Sequence, residues 1–305
     1  MGALAAGFAC DRLFNDPSRW HPVAGFGQAA GRLERQLWRP SRLAGLAYAA
    51  ALVAFPAAAA SLAESLLASR RLLLSGYRTA TIWVTLGGRS LELAAFRLVY
   101  ALDEGDIAQA RALAPALVGR DPRDLDRTEL SRAAIESVAE NTSDAVVAPL
   151  LWASLLGTPG AVAYRAVNTL DAMVGHKDER HLRFGWAAAR LDDLANWPAA
   201  RLTALLAVAA APLLGGDVRA AWRGAFRDGR AHPSPNAGRA EGAFAGALGI
   251  RLGGLNRYRH GPELRPALGQ GRPPTAADIE RAVRLARLVD GAALAVCAAL
   301  AGRRR

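Results

Sequence analysis

The chain contains almost no lysine and very little cysteine. Lys177 is the single lysine among 38 Lys and Arg residues, so a compact ammonium is either needed at this position or retained there by chance. Cys10 and Cys297 are the two cysteines, and each stands alone near one end of the sequence. Two isolated cysteines exclude a disulfide framework and a cysteine-based zinc site, and we expect both to be small core residues.

The sequence also lacks the common nucleotide and nucleophile motifs. It has no G-x-x-x-x-G-K-[ST] phosphate loop and no G-x-S-x-G turn, which excludes a P-loop nucleotide site and a hydrolase with a nucleophile elbow. The net charge of +11 first suggests nucleic acid. However, the arginines are spread along the chain among acidic residues, so membrane lipid headgroups or phosphorylated small molecules explain the excess better. We therefore predict no nucleic-acid partner.

Long uncharged segments alternate with charged ones. Residues 43–63 and 145–163 carry no charge over 21 and 19 positions, enough to cross a hydrocarbon core of about 30 Å. Residues 202–216 and 291–302 are also uncharged, but short for complete spans. This segregation predicts an all-α, polytopic integral membrane protein with broken or re-entrant helices and amphipathic cytoplasmic helices. A soluble, alanine-rich helical bundle is the alternative, because the apolar runs are only weakly hydrophobic.

Prolines and glycines interrupt the uncharged run 145–163. If this run crossed the bilayer once, the polar residues before it and after it would lie on opposite sides. Pro149, Gly157, Pro159 and Gly160 instead favour a helix that enters and returns. We therefore predict a re-entrant hairpin with its turn at residues 157–160. Residues 202–216, which contain Pro212, are predicted to form another broken or tilted segment.

The remaining segments are predicted to be polar helices and loops. Residues 72–102 have the charged, periodic pattern of one amphipathic helix, and a second helix is expected near 106–118. Thr128 has the position of a helix N-cap. Residues 217–287 are interpreted as a long arginine-rich loop. Because Arg303 and the two arginines after it follow an apolar run, the positive-inside rule predicts that they are cytoplasmic.

Three acidic residues have helical spacing. Glu136, Glu140 and Asp144 fall at i, i+4 and i+8, so an α-helix places their carboxylates on one face, with Asn141 beside them. Such oxygen ligands suit Mg²⁺, which usually takes one or two carboxylates and completes its shell with water and substrate phosphates. The alternative is a solvated acidic face paired with arginines, and Arg132 lies one turn earlier.

A polar stripe follows the uncharged run. Arg165, Asn168 and Asp171 recur every three residues among apolar neighbours. Arg165 can hold a phosphate or a carboxylate through two parallel hydrogen bonds. An interhelical polar network is an equally good reading of the same stripe.

Two further polar segments lie downstream. Asp192 and Asp193 are adjacent and are followed by Asn196, so they can complete a metal site. Residues 232–238, HPSPNAG, place two prolines around a serine just before a helix, where exposed backbone N–H groups can bind an anion. A lone His such as His232 is more often structural than catalytic.

Taken together, these segments resemble one family over nearly the whole chain. The segments are DRLFNDPSRWHPVAGFG from Asp11, ESVAENTSDAVVAPLLWA from Glu136, YRAVNTLDAMVGHKDER from Tyr164, ARLDDLANWPAARLTALL from Ala189 and HPSPNAGRAEGAFAGALGIRLGG from His232. They resemble the adenosylcobinamide-phosphate synthases, which are membrane amide ligases of cobalamin biosynthesis.

The resemblance implies a reaction, its substrates and a place in the cell. The reaction joins the free propionate of adenosylcobyric acid to aminopropanol or its phosphate, with ATP as co-substrate and Mg²⁺ as cofactor. The expected protein is one membrane-embedded synthase domain over residues 1–305, multi-pass in the cytoplasmic (inner) membrane, with a cytoplasmic active site. Other cobalamin-pathway enzymes are expected as partners. The alternatives are a corrinoid transporter, a membrane assembly scaffold of the same pathway, and a transferase that acts on lipid-linked phosphates.

The resemblance also implies a set of site residues. The implied catalytic residues are Asp171, Asn168, Lys177, Asp192 and Asp193; the substrate- and phosphate-binding residues are Arg165, Arg180, Arg190, Asn196, His232 and Asn236; and the Mg²⁺ ligands are Glu136, Glu140, Asn141 and Asp144.

Overall fold

Helices form most of this chain. The computed structural model describes residues 2–17, 20–176, 178–258 and 261–303, and 78% of it is helical. Alanine and leucine, which lose little side-chain entropy in a helix, are abundant throughout. The described elements are α1 (Gly2–Phe14), α2 (Pro22–Leu37), α3 (Arg42–Leu67), α4 (Arg71–Thr85), α5 (Gly88–Asp103), α6 (Ile107–Leu113), α7 (Arg127–Thr142), α8 (Ala148–Val174), α9 (His181–Phe184), α10 (Trp186–Ala210), α11 (Val218–Phe226), α12 (Ala237–Leu248), β1 (Leu252–Tyr258), β2 (Gly261–Leu268) and α13 (Ala276–Gly302).

The chain divides into two compact units, and each is assembled from separate segments. The first unit consists of Met1–Gly87, Asp144–Pro198 and Leu294–Arg305, and the second of Gly88–Ser143 and Ala199–Ala293. Neither unit is a continuous stretch of sequence, so neither can be cut out as one fragment. That residues 1–305 act as a single membrane-embedded domain stays a prediction.

Four helical segments in the described part of the chain are long and apolar enough to cross a membrane. They are Arg42–Leu67, Arg127–Val174, Trp186–Leu214 and Ala276–Gly302. The prediction of an all-α, polytopic membrane protein is confirmed. Residues 291–302, which we expected to be short for a span, are the end of α13, which already begins at Ala276.

Helix α8 reverses direction at Gly157. This residue has φ 74° and ψ −161° within an otherwise helical segment, a conformation that costs glycine little because it has no Cβ. Tyr164 Oη lies 3.1 Å from the carbonyl oxygen of Asp144, 20 positions earlier, although a straight α-helix would separate them by about 30 Å. The two legs therefore run back along each other, and the predicted helix–turn–helix with its turn at 157–160 is confirmed.

Contacts with α3 fix both ends of the second leg of this hairpin. At the turn, Thr158 Oγ1 donates to Glu64 Oε1 at 2.8 Å, near the end of α3. At the other end, Val174 packs in a core cluster with Tyr48 and Ala49, near the start of α3. The second leg is thus antiparallel to a candidate membrane span. Its residues 164–168 lie between the two ends of that span.

Four local predictions need correction or refinement. Residues 72–102 form two helices, because α4 ends at Thr85 and α5 begins at Gly88. Helix α7 is capped by Asp126 rather than Thr128, since Asp126 and Glu129 bond each other's backbone N–H in a capping box. The helix expected near 106–118 is the shorter α6, followed by a 3₁₀ turn, Ala114–Ala116. Most of residues 202–216 belongs to α10, which continues through Pro198 without a break. The predicted break occurs only at the end of this segment, in a 3₁₀ turn, Ala211–Leu214.

The predicted loop 217–287 is wrong. It contains α11, α12, an antiparallel pair of strands and the first part of α13. Helices α11 and α12 pack backbone against backbone, because a Cβ on Gly242 would lie 2.0 Å from the carbonyl oxygen of Gly224. Such close packing of small residues lacks the large apolar side chains from which helix periodicity is usually recognised.

Candidate functional site

Six polar side chains from the two legs of the hairpin and from α10 meet in the first unit. A π-helical turn, Ser143–Val147, precedes the first leg and changes the helix register there. The face on which Glu136 and Glu140 lie therefore does not continue regularly to Asp144, which corrects the predicted i, i+4, i+8 row. We call the following residues the hairpin cluster: Asp144, Tyr164, Arg165, Asn168, Asp192 and Asn196.

Two amides connect the two carboxylates of the hairpin cluster. Asn168 Nδ2 lies 3.4 Å from Asp144 Oδ2 and 3.3 Å from Asp192 Oδ1. Asn196 Nδ2 donates to Asp192 Oδ2 at 2.9 Å, while Asn196 Oδ1 accepts from Tyr164 Oη at 2.7 Å. Tyr164 and Asn196 are buried. Both carboxylates are therefore held beside one amide by side chains that are themselves fixed.

Arg165 supplies the positive charge of the hairpin cluster. Its Nε donates to the carbonyl oxygen of Thr85 at 2.8 Å, Nη2 bonds the same oxygen, and Nη1 donates to Asn168 Oδ1 at 3.3 Å. The backbone between α4 and α5 thus holds the guanidinium in place. Because its position does not depend on an ion pair, it can still attract an anionic group of a substrate.

Acidic residues of the N-terminal segment, to which the sequence patterns give no role, also act on Arg165. Asp11 is fully buried, and both Asp11 and Asp16 act electrostatically on Arg165. His21 Nε2 lies 3.9 Å from Asp16 Oδ1. All three belong to the opening motif that carried the family resemblance, but their spacing does not match a helix face. Asp11 also lies 4.0 Å from Arg12, so arginines balance part of the negative charge of this region.

Two other predicted site residues form a surface pair. Arg190 Nη1 lies 3.5 Å from Asp193 Oδ2, and the two side chains are 66% and 33% exposed. Asp193 therefore lies beside Arg190, whereas its neighbour Asp192 is bonded within the hairpin cluster.

The remaining predicted site residues of the first unit lie at the end of α8 and in the segment that follows it. Asp171 lies one turn beyond Asn168, beside the backbone of Gly175. Arg180 pairs with Glu34 at 3.0 Å. Lys177 lies outside the described residues. None of these described contacts reaches the hairpin cluster.

A second polar group lies in the second unit. Arg120 Nη2 donates to Glu136 Oε2 at 2.5 Å, and the N–H of Gly253 donates to Glu136 Oε1 at 2.8 Å. Arg132 lies 3.8 Å from Glu136 and donates to two carbonyl oxygens of β1. Both oxygens of Glu136 are thus occupied by protein donors, as in the alternative of an arginine-paired face. We call the following residues the arginine–glutamate cluster: Arg120, Arg132, Glu136, His232, Glu241 and Arg265.

The loop before α12 contributes the histidine of this cluster. His232 Nε2 lies 2.8 Å from Arg265 Nη1, which can only donate, so Nε2 accepts. Burial, together with Arg265, holds the pKa of His232 below its usual value. Asn236 Oδ1 accepts from Arg201 Nη1 at 2.9 Å. His232 is therefore a neutral, structurally bonded imidazole near neutral pH.

Comparison with known proteins decides the family. Residues 4–286 match the family described as CobD/Cbib protein. The chain belongs to the CobD/Cbib family. It is 50% identical over 301 residues to "Cobalamin biosynthesis protein CobD" of Mycobacterium tuberculosis, covering 98% of this chain and 95% of the relative. Proteins of the same name from Geobacter metallireducens and Sinorhizobium fredii are 46% and 40% identical over 292 and 294 residues, each covering 92% of this chain and 90% of the relative. No solved structure matches the chain.

Membership of the CobD/Cbib family confirms the resemblance read from the motifs. It gives the chain a role in cobalamin biosynthesis, in keeping with the names of the relatives. With four helices able to cross a membrane, the chain is a membrane protein of this pathway.

The two clusters of this CobD/Cbib protein differ in how they fit Mg²⁺. Among the described residues, no group of three or more His, Cys, Asp and Glu side chains is arranged to hold a metal ion. Mg²⁺ needs fewer, because water and substrate phosphates complete its shell. Asp144 and Asp192 fit this requirement, since both lie beside Asn168. Glu136, whose oxygens already bind Arg120 and Gly253, fits it poorly, and Asn141 donates its amide to Ser137.

Glu241 gives the arginine–glutamate cluster a pH-dependent contribution to stability. Burial, with Glu136 and Glu140 nearby, raises the pKa of Glu241 well above its usual value. Because its folded-state pKa is the higher one, its contribution is complete below the unfolded pKa of about 4.3 and is lost as the pH rises through the folded pKa.

The variant Glu241→Gln should therefore match the wild type at a pH of about 4 or below and unfold at a higher temperature than the wild type at pH 8.5. Glutamine keeps the shape of the protonated acid but cannot ionise. Thermal unfolding in detergent at several pH values measures the difference, with Glu280→Gln as the control because Glu280 is exposed on α13. A Glu241→Gln variant that is less stable than wild type at pH 8.5 would show that the carboxylate, not the acid, is the folded form.

Proposed function

We propose that the chain is an ATP-dependent amide ligase that joins the free propionate of adenosylcobyric acid to aminopropanol or its phosphate. One observation carries the proposal. The hairpin cluster gathers two carboxylates, two amides and an arginine from three separate parts of the chain, with Asn168 lying 24 residues from both Asp144 and Asp192. Such a group suits a substrate that combines a cation, phosphates and an amine.

The chemistry of the reaction explains why these residue types are needed. A carboxylate acylates an amine poorly at neutral pH, because its leaving group would be oxide. Transfer of a phosphoryl group or an adenylyl group from ATP to the propionate oxygen supplies a leaving group. The amine then attacks the carbonyl carbon, loses a proton to a base, and expels phosphate or AMP.

The charge of each side chain in the hairpin cluster decides which part of the substrates it would bind. Asp144 and Asp192 would hold Mg²⁺, which neutralises charge on the ATP phosphates when bound. Arg165 would contact a phosphate. The Thr85 carbonyl oxygen holds its guanidinium in place, and the guanidinium is the positively charged group of the cluster. Asn168 and Asn196 would orient the carboxylates and the amine. The active site would open toward the cytoplasmic side of the cell membrane, where ATP is available.

A corrinoid transporter is the second candidate. The observation that favours it is the break at Gly157 together with the π-helical turn at 143–147, because broken helices beside polar groups are typical of transporter binding sites. A transporter needs a polar path open in turn to both sides of the membrane, whereas a ligase needs one site with access to ATP.

The test uses purified, detergent-solubilised full-length protein with adenosylcobyric acid, Mg–ATP and aminopropanol phosphate. We expect an amide product that disappears when any one of the three substrates or Mg²⁺ is omitted. Solubilised protein has no two compartments, so transport cannot produce this signal. Protein that binds the corrinoid in a saturable manner but forms no amide would contradict the ligase proposal and support a transporter or a scaffold.

A further inference from the structure

Helix α11 presents an apolar stripe and a basic stripe side by side on its outer face. Residues that are four positions apart lie above one another on a helix. Val218 and Trp222 are 42% and 52% exposed, and the Trp222 and Phe226 rings lie 4.4 Å apart. The apolar stripe is Val218, Trp222 and Phe226, and the basic stripe is Arg219, Arg223 and Arg227.

The opposite face of α11 is fixed against α12. Ala221, Gly224 and Ala225 are buried there. A Cβ on Gly224 would lie 2.0 Å from the carbonyl oxygen of Gly242, so the two backbones are in direct contact. Helix α11 therefore cannot rotate to bury Val218 and Trp222, although the half-buried Phe226 ring lies under Arg239 of α12.

The basic stripe is largely without acidic partners. In the described part of the chain, neither Arg219 nor Arg223 lies within ion-pair distance of a carboxylate, whereas Arg227 pairs with Asp228 at 3.0 Å. Two such arginines beside an exposed tryptophan suit a membrane surface, where an apolar hydrocarbon interior lies next to a layer of anionic headgroups. Arginine can bury its methylene stem in such an interface and keep its charge at the surface.

The position of α11 along the chain matches the same interface. Only three residues separate the end of the candidate span Trp186–Leu214 from Val218. Three extended residues cover at most about 11 Å, so α11 starts within reach of the lipid headgroups at the end of that span. Leu213, in the last turn of the span, is 72% exposed, which continues the apolar surface toward Val218.

We propose that α11 lies in the headgroup layer of the membrane, with Val218 and Trp222 in lipid and with Arg219 and Arg223 on anionic lipid phosphates. Arginines this close to a span favour the cytoplasmic leaflet. Because α12 packs on the inner face of α11 and carries Glu241, α11 sets the arginine–glutamate cluster beside that surface. This inference does not depend on the ligase proposal.

The test measures the depth of position 222 in the full-length protein. The variant Trp222→Cys is labelled with bimane in vesicles of phosphatidylcholine with phosphatidylglycerol, and wild-type protein labelled identically gives the background from Cys10 and Cys297. We expect quenching by lipids brominated near the headgroup and protection from aqueous iodide. The variant Arg123→Cys is the water-exposed reference, because the Arg123 side chain is 85% exposed. Quenching of position 222 by iodide but not by brominated lipid would overturn the proposal, and protection from both would show a protein partner instead.

The charge of the lipid is tested separately. In the labelled Trp222→Cys variant, adding Arg219→Gln with Arg223→Gln should abolish the extra iodide protection that phosphatidylglycerol gives over phosphatidylcholine alone. The control adds Arg123→Gln with Arg127→Gln instead, which removes the same amount of charge from arginines that pair with Asp121 and Asp103. The control should leave the extra iodide protection by phosphatidylglycerol intact. Protection that is equal in both lipids, or unchanged by the first pair of substitutions, would overturn the assignment of Arg219 and Arg223 to lipid phosphates.

Discussion

Replacing Asp192 by Asn should lower the rate of amide formation by about a hundredfold or more, the effect expected when one preorganised polar group is lost from an active site. The substitution keeps the shape of the side chain but removes its charge. Its two oxygens accept from Asn168 and Asn196, so the amide can replace only one of them without rearrangement. The concentration of Mg²⁺ needed for half-maximal activity should rise as well, because Asp192 is a proposed ligand.

The adjacent residue provides a matched control for this prediction. Asp193→Asn makes the same chemical change one position away, in a pair with Arg190 that is partly exposed to solvent. Exposed ion pairs contribute little to stability, about 0–1 kcal/mol, and Asp193 lies in such a pair with Arg190. We expect near-normal amide formation from Asp193→Asn. If Asp192→Asn kept near-normal activity in folded protein, the assignment of the hairpin cluster as the active site would be wrong.

The largest effect on stability is expected from Glu136→Ala. Glu136 binds Arg120 and lies beside Arg132, and all three side chains are buried. Removing one member of a buried ion pair leaves an uncompensated charge and costs about 3–5 kcal/mol of unfolding free energy. The temperature of half-unfolding in detergent should therefore fall on the order of 10 °C.

The same experiment separates an ion-pair role from a metal role for α7. Glu140 lies one turn from Glu136 and is exposed, so Glu140→Ala should change stability by only about 0.5 kcal/mol. Removing Mg²⁺ with a chelator should change the unfolding temperatures of the wild type and of Glu136→Ala by the same amount, because arginines and a backbone N–H already occupy Glu136, and Mg²⁺ at the hairpin cluster would be common to both proteins. A chelator effect that is present in the wild type but absent from Glu136→Ala would support the predicted metal site at Glu136 and contradict the ion-pair account.

The hairpin could be predicted from the sequence because its signals are local. Pro149, Gly157, Pro159 and Gly160 interrupt an uncharged run, and polar residues on both sides of the run argue against a single crossing. The structure then brings Asp144 and Asn168 together, as a return of the chain requires. The sequence also predicts Asp192, Asp193 and Asn196 as parts of one metal site; Asp192 and Asn196 do belong to the hairpin cluster, whereas Asp193 pairs with Arg190.

Other features could not be predicted because their causes lie elsewhere in the chain. The row from Glu136 to Asp144 assumed a regular α-helix, and the π-helical turn at 143–147 changes its register. Helix α12 is stabilised by backbone contact of glycines with α11, and this kind of packing leaves no periodic pattern of large apolar residues. The pairing of Glu136 with Arg120 joins residues in a loop and a helix, and nothing in the spacing indicates it.

The most direct test of the central claim is to identify both products of one reaction by mass spectrometry. Purified protein is incubated with adenosylcobyric acid, aminopropanol phosphate and Mg–ATP, and the amide and the nucleotide are quantified together. The account predicts one nucleotide product for each amide formed: ADP if the propionate is activated as an acyl phosphate, or AMP if it is activated as an adenylate. ATP that remains intact while the corrinoid is bound, with no amide formed, would contradict the account.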